Sequence, residues 1–234
     1  MKVTLLIPTL NEVIGMKEIM PKIKKEWYDQ LLIVDGKSTD GTIEYCKQMG
    51  YPVVIQQKKG MRNAYMESLP HITGDVILTF SPDGNSIPEL IPVCIEKMKQ
   101  GYDMVIVSRY APGAKSEDDD PITGFGNWSF RTMIRLFFGG GMTDPMVIYR
   151  AYRKQLIYDL DLTKDSSFEK EEKLFNTNIS WEPLLSIRAA KRKLKIGEIP
   201  GDEPARVGGE RKLQIWRWGA CFLYEVIREI FVWR

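Results

Sequence analysis

The chain has 234 residues, with 33 Lys and Arg against 31 Asp and Glu, for a net charge of +2. That length allows one large domain or two small ones with a substantial core, and the balanced charge gives no global case for nucleic acid binding. The three cysteines, Cys46, Cys94 and Cys221, are widely spaced, so neither a disulfide framework nor a zinc site is expected and the plain reading is a reducing, cytoplasmic setting.

The opening MKVTLLIPTLNE has an apolar run too short for a signal peptide, and no uninterrupted apolar stretch approaches the ~20 residues of a membrane span. The chain is expected to be soluble or to lie on a membrane surface. Val3 to Ile7 reads as a buried strand, Met16 to Trp27 as a helix that includes Pro21, and Leu31 to Val34 as a second apolar strand. A helix over Ile43 to Met49, started by Thr39-Asp40, precedes strand Val53 to Ile55. Then come helix Met61 to Leu69, strand Val76 to Phe80, helix Pro88 to Lys99 and strand Met104 to Val107. Such alternation predicts βαβ units and a mostly parallel sheet, with ligands at the carboxyl ends of the strands. That rule singles out Pro8 to Glu12, Asp35 to Asp40, Ser81 to Asn85 and Ser108 to Tyr110.

Beyond Tyr110 the pattern loosens. APGAKSEDDDPITG, rich in turn formers and acids, reads as a mobile solvated loop. A helix over Trp128 to Phe138, three glycines, a strand-like MVIYRAY, a helix over Ser180 to Lys193 and strand Leu194 to Ile199 follow. Leu213 to Trp233 is helical in pattern, with Arg217, Glu225, Arg228 and Glu229 confined to about one third of its wheel.

Two strand-end segments carry candidate chemistry. IVDGKSTDGT contains Gly36-Lys37-Ser38, the close of a P-loop, but the earlier glycine such a loop needs falls on Leu31, inside a strand. In TFSPDGNSIPE, Asp83 and Asn85 stand two residues apart at a strand end, hard oxygen ligands suited to Mg²⁺ or Mn²⁺. The same Pro-Asp-Gly-Asn run is good turn chemistry in its own right.

IPTLNE, IVDGKSTDGT, KGMRNAY, FSPDGNSIPE, VSRYAPG, TDPMVIYRAYRK and IGEIPGDEPARVGGERK occur in an order and spacing that resembles family 2 glycosyltransferases, most nearly the dolichol-phosphate mannose synthase type. The resemblance runs over about residues 2 to 213. It implies an α/β GT-A fold, Rossmann-like, with helices flanking a mostly parallel central sheet. It also implies inverting transfer of a sugar from a GDP- or UDP-sugar to a polyprenyl-phosphate, lipid-linked or cell-envelope glycan acceptor, with Mg²⁺ or Mn²⁺. By that resemblance Pro8, Leu10 and Glu12 border the nucleoside, Asp35 accepts a hydrogen bond from the base, and Gly60 and Arg62 approach the nucleotide. Asp83 takes the second acid of the family's D-x-D and Asn85 a flanking ligand, while Ser81 stands where the first acid is usual. Gly36 and Lys37 replace the second acid and the glycine that ordinarily follow Asp35. Arg109, Arg150, Arg206, Arg211 and Lys212 match positions that meet the donor diphosphate or an acceptor phosphate.

Transfer to a hydroxyl requires a general base, for which Asp144 and Glu182 are the candidates, whereas a phosphate acceptor is already anionic. Glu182 equally suits the first turn of a helix. The expected organisation is a catalytic domain over 1–212 and an amphipathic, aromatic-rich helix over 213–234. The aromatics of that helix suit a bilayer interface, which would place the protein peripherally at the inner face of the plasma membrane; packing against a second subunit is the alternative. The rival to an enzyme is a protein that binds sugar nucleotides without transfer, a reading prompted by Gly36 and Ser81.

Overall fold

The structure, a computed structural model, describes residues 1–208 and 214–232. Its strands are β1 (Val3–Thr9), β2 (Gln30–Asp35), β3 (Val53–Ile55), β4 (Val76–Thr79), β5 (Met104–Ser108), β6 (Arg150–Arg153) and β7 (Ile196–Pro200). They form one seven-stranded sheet in the order β3-β2-β1-β4-β6-β5-β7. Every pairing is parallel except those of β6, which runs antiparallel between β4 and β5. The helices are α1 (Val13–Ile19), α2 (Thr42–Gln48), α3 (Met61–Ser68), α4 (Leu90–Lys99), α5 (Pro121–Phe138), α6 (Leu156–Asp159), α7 (Glu169–Leu174), α8 (Glu182–Lys191) and α9 (Ile215–Phe231).

The central strands are apolar at almost every position because both faces of the sheet are covered. Successive side chains point to opposite faces. Thus Leu6, Leu32, Val34, Ile77 and Ile106 join a core with Tyr65 of α3, Phe130 of α5, Leu184 of α8 and Phe222 of α9. Leu5, Ile7, Ile33, Leu78 and Val105 pack instead with Met16 of α1 and Ile91 of α4. Each such side chain, fully buried, contributes about 1.5–3 kcal/mol. From β1 the chain steps outward to β2 and β3, then returns so that β4 lies on the other flank of β1. The carboxyl ends of β1 and β4 therefore border the crevice where strand order reverses, the usual ligand position in such sheets.

Three elements differ from expectation. The first helix ends at Ile19 and gives way to short 3₁₀ turns at Met20–Lys22 and Lys25–Trp27, because Pro21 has no N–H to continue the helical ladder. The strand-like MVIYRAY shortens to Arg150–Arg153. The acidic segment before Trp128 is partly helical: α5 starts at Pro121, and the Asp120 side chain accepts hydrogen bonds from the backbone N–H groups of Ile122 and Thr123. An aspartate cap followed by proline at the first helical position is a strong start signal, and it outweighs the turn-rich composition upstream.

Helix α9 packs on α5, α7 and α8. Most of its polar stripe faces inward, Arg217 excepted: Glu229 pairs with Arg188 of α8 at 2.9 Å and with Arg228 at 3.1 Å, and Arg228 pairs with Glu171 of α7 at 2.5 Å. Glu225 is fully buried, and neither of its carboxylate oxygens has a hydrogen-bond partner. Burial, and then the nearby Glu171 carboxylate, push its pKa well above the usual carboxylate range.

Candidate active site

The loops after β1 and β2 are hydrogen-bonded to each other. Asn11, in a left-handed conformation at φ 53°, donates its N–H to Ser38 Oγ and accepts from the Thr39 N–H through Oδ1. Glu12 N–H donates to Thr42 Oγ1, and Val13 N–H to Asp40 Oδ2. Asp35 organises this corner. It is fully buried, and its carboxylate accepts from the Ser38 N–H, the Ser38 hydroxyl and the Thr9 hydroxyl, each at 2.7 Å. The carboxylate expected to meet a base thus shapes the loop that carries Gly36 and Lys37. Leu10 and Lys37 are exposed on that edge, while Pro8 and Ser81 are half-buried at their strand ends.

The segment after β4 is held against α1. A Cβ at Gly15 would collide with the carbonyl of Pro82, so glycine lets the helix approach closely enough to set Glu12 beside Asp83. Asp83 Oδ1 accepts from the Asn85 N–H at 3.1 Å, and Asp83 Oδ2 pairs with Arg206 at 3.0 Å. Arg206 Nη1 also lies 3.9 Å from Glu12 Oε1. The loop bearing Arg206 is seated by the Val207 N–H, which donates to the Asp83 carbonyl at 2.9 Å. At Gly84, φ 94°, any side chain would strike Val207. Acids from β1 and β4 and a guanidinium from beyond β7 therefore meet at one edge.

Other candidates turn inward. Arg109 forms a two-point pair with Asp144 (Nε at 2.7 Å, Nη2 at 3.0 Å) and reaches Glu203 at 3.1 Å. Burial disfavours the charge of Arg109, but those carboxylates outweigh it and raise its pKa. Asp144 is fully buried in this network. The guanidinium expected to face a phosphate and the acid expected to act as a base are instead partners that join β5 to the 142–144 segment.

Arg150 is likewise fully buried and donates to the carbonyls of Val147 (2.8 Å) and Pro145 (3.0 Å) and to Ser186 Oγ (2.9 Å). Its donors are taken up by the protein, so it is a strut between β6 and α8 and not a phosphate ligand. Glu182 opens α8 and is fully buried; Tyr65 donates its hydroxyl to Glu182 Oε1 at 2.6 Å, and Trp181 stacks on Tyr65 at 4.8 Å. Burial, followed by the Glu182 charge, holds the Tyr65 pKa well above its ordinary value.

Arg62, expected near the nucleotide, pairs with Asp165 and Glu172 and lies over the Phe168 ring at 4.8 Å. Gly60, φ 108°, is closely approached by Asn178. Both fasten α3 to the 165–179 region. Arg211 and Lys212 lie outside the described residues.

Sequence reasoning missed the loop between β5 and α5. Asn85 Nδ2 donates to Asp118 Oδ2 at 2.7 Å, Tyr110 donates its hydroxyl to Asp119 Oδ2 at 2.7 Å, and Ser116 hydrogen-bonds Glu203. The acidic run was itself the available signal, but it has the composition of a solvated loop. Among the described residues no three His, Cys, Asp or Glu side chains are gathered as a metal cluster. The edge nonetheless fits a hard divalent cation in kind: Asp83 offers a carboxylate, and Asn85 Oδ1 is a buried oxygen with no hydrogen-bond partner.

The family model for glycosyl transferase family 2 matches residues 4–161. Among curated proteins, glycosyltransferase AglJ of Haloferax volcanii is 27% identical over 97% of this chain and 71% of its own length. Dolichol-phosphate mannosyltransferase of Pyrococcus furiosus is 27% identical over 99% of this chain and 63% of its own. Among solved structures, glucosyl-3-phosphoglycerate synthase from Mycobacterium tuberculosis, in complex with Mn²⁺, UDP and phosphoglyceric acid, superposes with a TM-score of 0.65 at 17% identity, over 98% of this chain and 78% of that one. The shared architecture is the GT-A fold. With two thirds of its length matched in register by the family, this chain belongs to glycosyl transferase family 2 and is a glycosyltransferase.

Proposed function

We propose that the enzyme transfers a sugar, with inversion, from a GDP- or UDP-linked donor to a polyprenyl phosphate or a related lipid-linked or cell-envelope glycan, using Mg²⁺ or Mn²⁺. The observation that carries this reading is the meeting of Asp83 and Asn85 with Arg206 at the β1/β4 crevice. A nucleoside diphosphate needs both partners, hard oxygens to share a cation and a guanidinium to bind phosphate oxygens in two-point fashion. Leu10, Gly36 and Lys37 border the space for the nucleoside. A cation held by Asp83 and Asn85 would neutralise charge on the departing diphosphate. Arg206 exchanges its pair with Asp83 for the phosphates and stabilises the same charge as it develops. Asp144 and Glu182 are both fully buried, which favours an acceptor that is already anionic and requires no base.

The 1–212 region is read as the catalytic domain and the tail as its interface helix. Trp216 is 80% exposed and Phe231 77%, and α5 beside it exposes Phe125, Trp128 and Leu136. Such a face suits the headgroup region of a membrane, and the cytoplasmic face is where nucleotide sugars are available. No helix among the described residues is long and apolar enough to cross a membrane.

The test is transfer of labelled sugar from GDP- and UDP-sugars to polyprenyl phosphate and to the corresponding polyprenol, with Mn²⁺ and with EDTA. The expected outcome is a lipid-soluble product from the phosphate alone, formed with one nucleotide and lost with EDTA. Product from the alcohol, or none from either lipid, would overturn the acceptor assignment.

A further inference from the structure

The family's first metal-site acid is Ser81 in this chain, which leaves Asp83 as the one carboxylate the motif supplies. We propose that Asp118, on the loop between β5 and α5, provides the missing carboxylate, so that the cation is held by Asp83, Asn85 and Asp118. The inference rests on the reading that the enzyme binds its donor with a divalent cation.

Asn85 lies between the two acids. Its backbone N–H donates to Asp83 Oδ1 at 3.1 Å, and its side-chain Nδ2 donates to Asp118 Oδ2 at 2.7 Å. Asn85 thus links the two acids, Asp83 at its backbone and Asp118 at its side chain. The remaining side-chain polar atom of Asn85, Oδ1, is buried with no hydrogen-bond partner, as is Oδ1 of Asp119, the residue after Asp118. A buried acceptor without a donor is costly unless something positive meets it. Two carboxylates and an amide oxygen are hard ligands, and with diphosphate oxygens completing the shell they match how Mg²⁺ is usually held in nucleotide sites.

The loop is fixed in this position by contacts that do not involve Asp118. The Lys115 N–H donates to Asp202 Oδ1, the Glu203 N–H to the Lys115 carbonyl, and the Glu117 N–H to the Glu203 carbonyl, each at 2.8 Å. On the far side Tyr110 holds Asp119 and Asp120 caps α5. Asp118 is thus presented from a segment anchored at both ends, which limits the ordering cost of binding. The same tether joins it to the 202–207 segment, whose Arg206 covers Asp83.

The experiment is Mn²⁺ binding to the full chain with UDP and, separately, GDP, read as bound against free Mn²⁺ by electron paramagnetic resonance. Folding of each variant is checked by circular dichroism melting. Asp118→Asn keeps the hydrogen bond from Asn85 and removes the charge. It should weaken Mn²⁺ binding by about tenfold or more, the scale seen even for groups that only orient metal ligands. Adding Ser81→Asp should restore it. Unchanged affinity in Asp118→Asn, or a loss that Ser81→Asp does not recover, overturns the role of Asp118. If Asp83→Ala still abolishes binding in those cases, the metal reading stands without it. Wild-type protein that binds no Mn²⁺ with either nucleotide overturns both.

Discussion

At Glu182 the hydroxyl of Tyr65, the stacked Trp181 and complete burial define a carboxylate that faces the protein. A general base must reach the proton it removes. Glu182→Gln should therefore leave the transfer rate within a few-fold of wild type, where loss of a base would cost about 10²–10⁴; single-turnover rates on polyprenyl phosphate separate the two. Arg150 makes the opposite prediction for stability. Arg150→Met strands the Val147 carbonyl, at about 1–3 kcal/mol for a buried group left unsatisfied, and takes one partner from the Pro145 carbonyl and Ser186, which keep their bond to each other at 2.6 Å; urea denaturation should show the loss. Asp83→Ala, by contrast, should spare folding and remove the metal-dependent rise in melting temperature with a nucleoside diphosphate. Residue types at strand ends were readable from the chain because loops of βαβ sheets carry function. Which way Asp35, Arg109, Asp144 and Arg150 point was not, since a charged residue that binds a ligand and one that ties two elements together look alike in sequence.

Among the elements, α9 shows how far pattern reading extends. Confinement of Arg217, Glu225, Arg228 and Glu229 to one part of the wheel was visible, but polar residues are usually taken as the solvent side. Here most of them lie against the body: Glu225 and Glu229 are fully buried, and Arg228 pairs with Glu171. The large apolar side chains Trp216, Leu223, Ile227 and Phe231 are exposed. Arg188 of α8 and Glu171 of α7 supply the partners, and neither can be inferred from the sequence of α9. Glu225 titrates within this network, facing Glu171, Arg188, Arg228 and Glu229. Above about pH 4.3 an unfolded glutamate loses its proton while folded Glu225 keeps it, so the folded state holds more protons and stability falls as pH rises toward the raised folded pKa. Glu225→Met should flatten that decline and raise stability on the alkaline side by on the order of 1 kcal/mol. Thermal melts from pH 5 to 9 of both proteins check it.

Across the whole molecule, α5 and α9 together expose Phe125, Trp128, Leu136, Trp216 and Phe231 on one packed helix pair. A face of this kind is seldom left bare. Sedimentation with anionic lipid vesicles should carry down the wild-type chain, and Phe125→Ser with Trp216→Ser should release most of it while the melting temperature stays within a few degrees. Monomer–dimer equilibrium in detergent-free buffer, measured by analytical ultracentrifugation, tests the competing cover. A dimer abolished by the same substitutions would assign the face to a second copy.

By itself, the sequence determined the fold class, the order of the strands and of the helices other than α6 and α7, and the loops that line the crevice. Those follow from hydrophobic period and chain order, which are local properties. It also placed Asp83 and Asn85 at a strand end, because they lie within a few residues of β4. Tertiary structure alone decided that β6 enters antiparallel, that Arg206 arrives at Asp83 from far along the chain, and that an acidic run read as a mobile loop is anchored beside Asn85. It also decided that Asp35, Asp144, Arg150 and Glu182 are interior. The physical reason is common to all of these: the destination of a charged side chain depends on which partner the packing brings within hydrogen-bond reach, and such partners are distant in sequence.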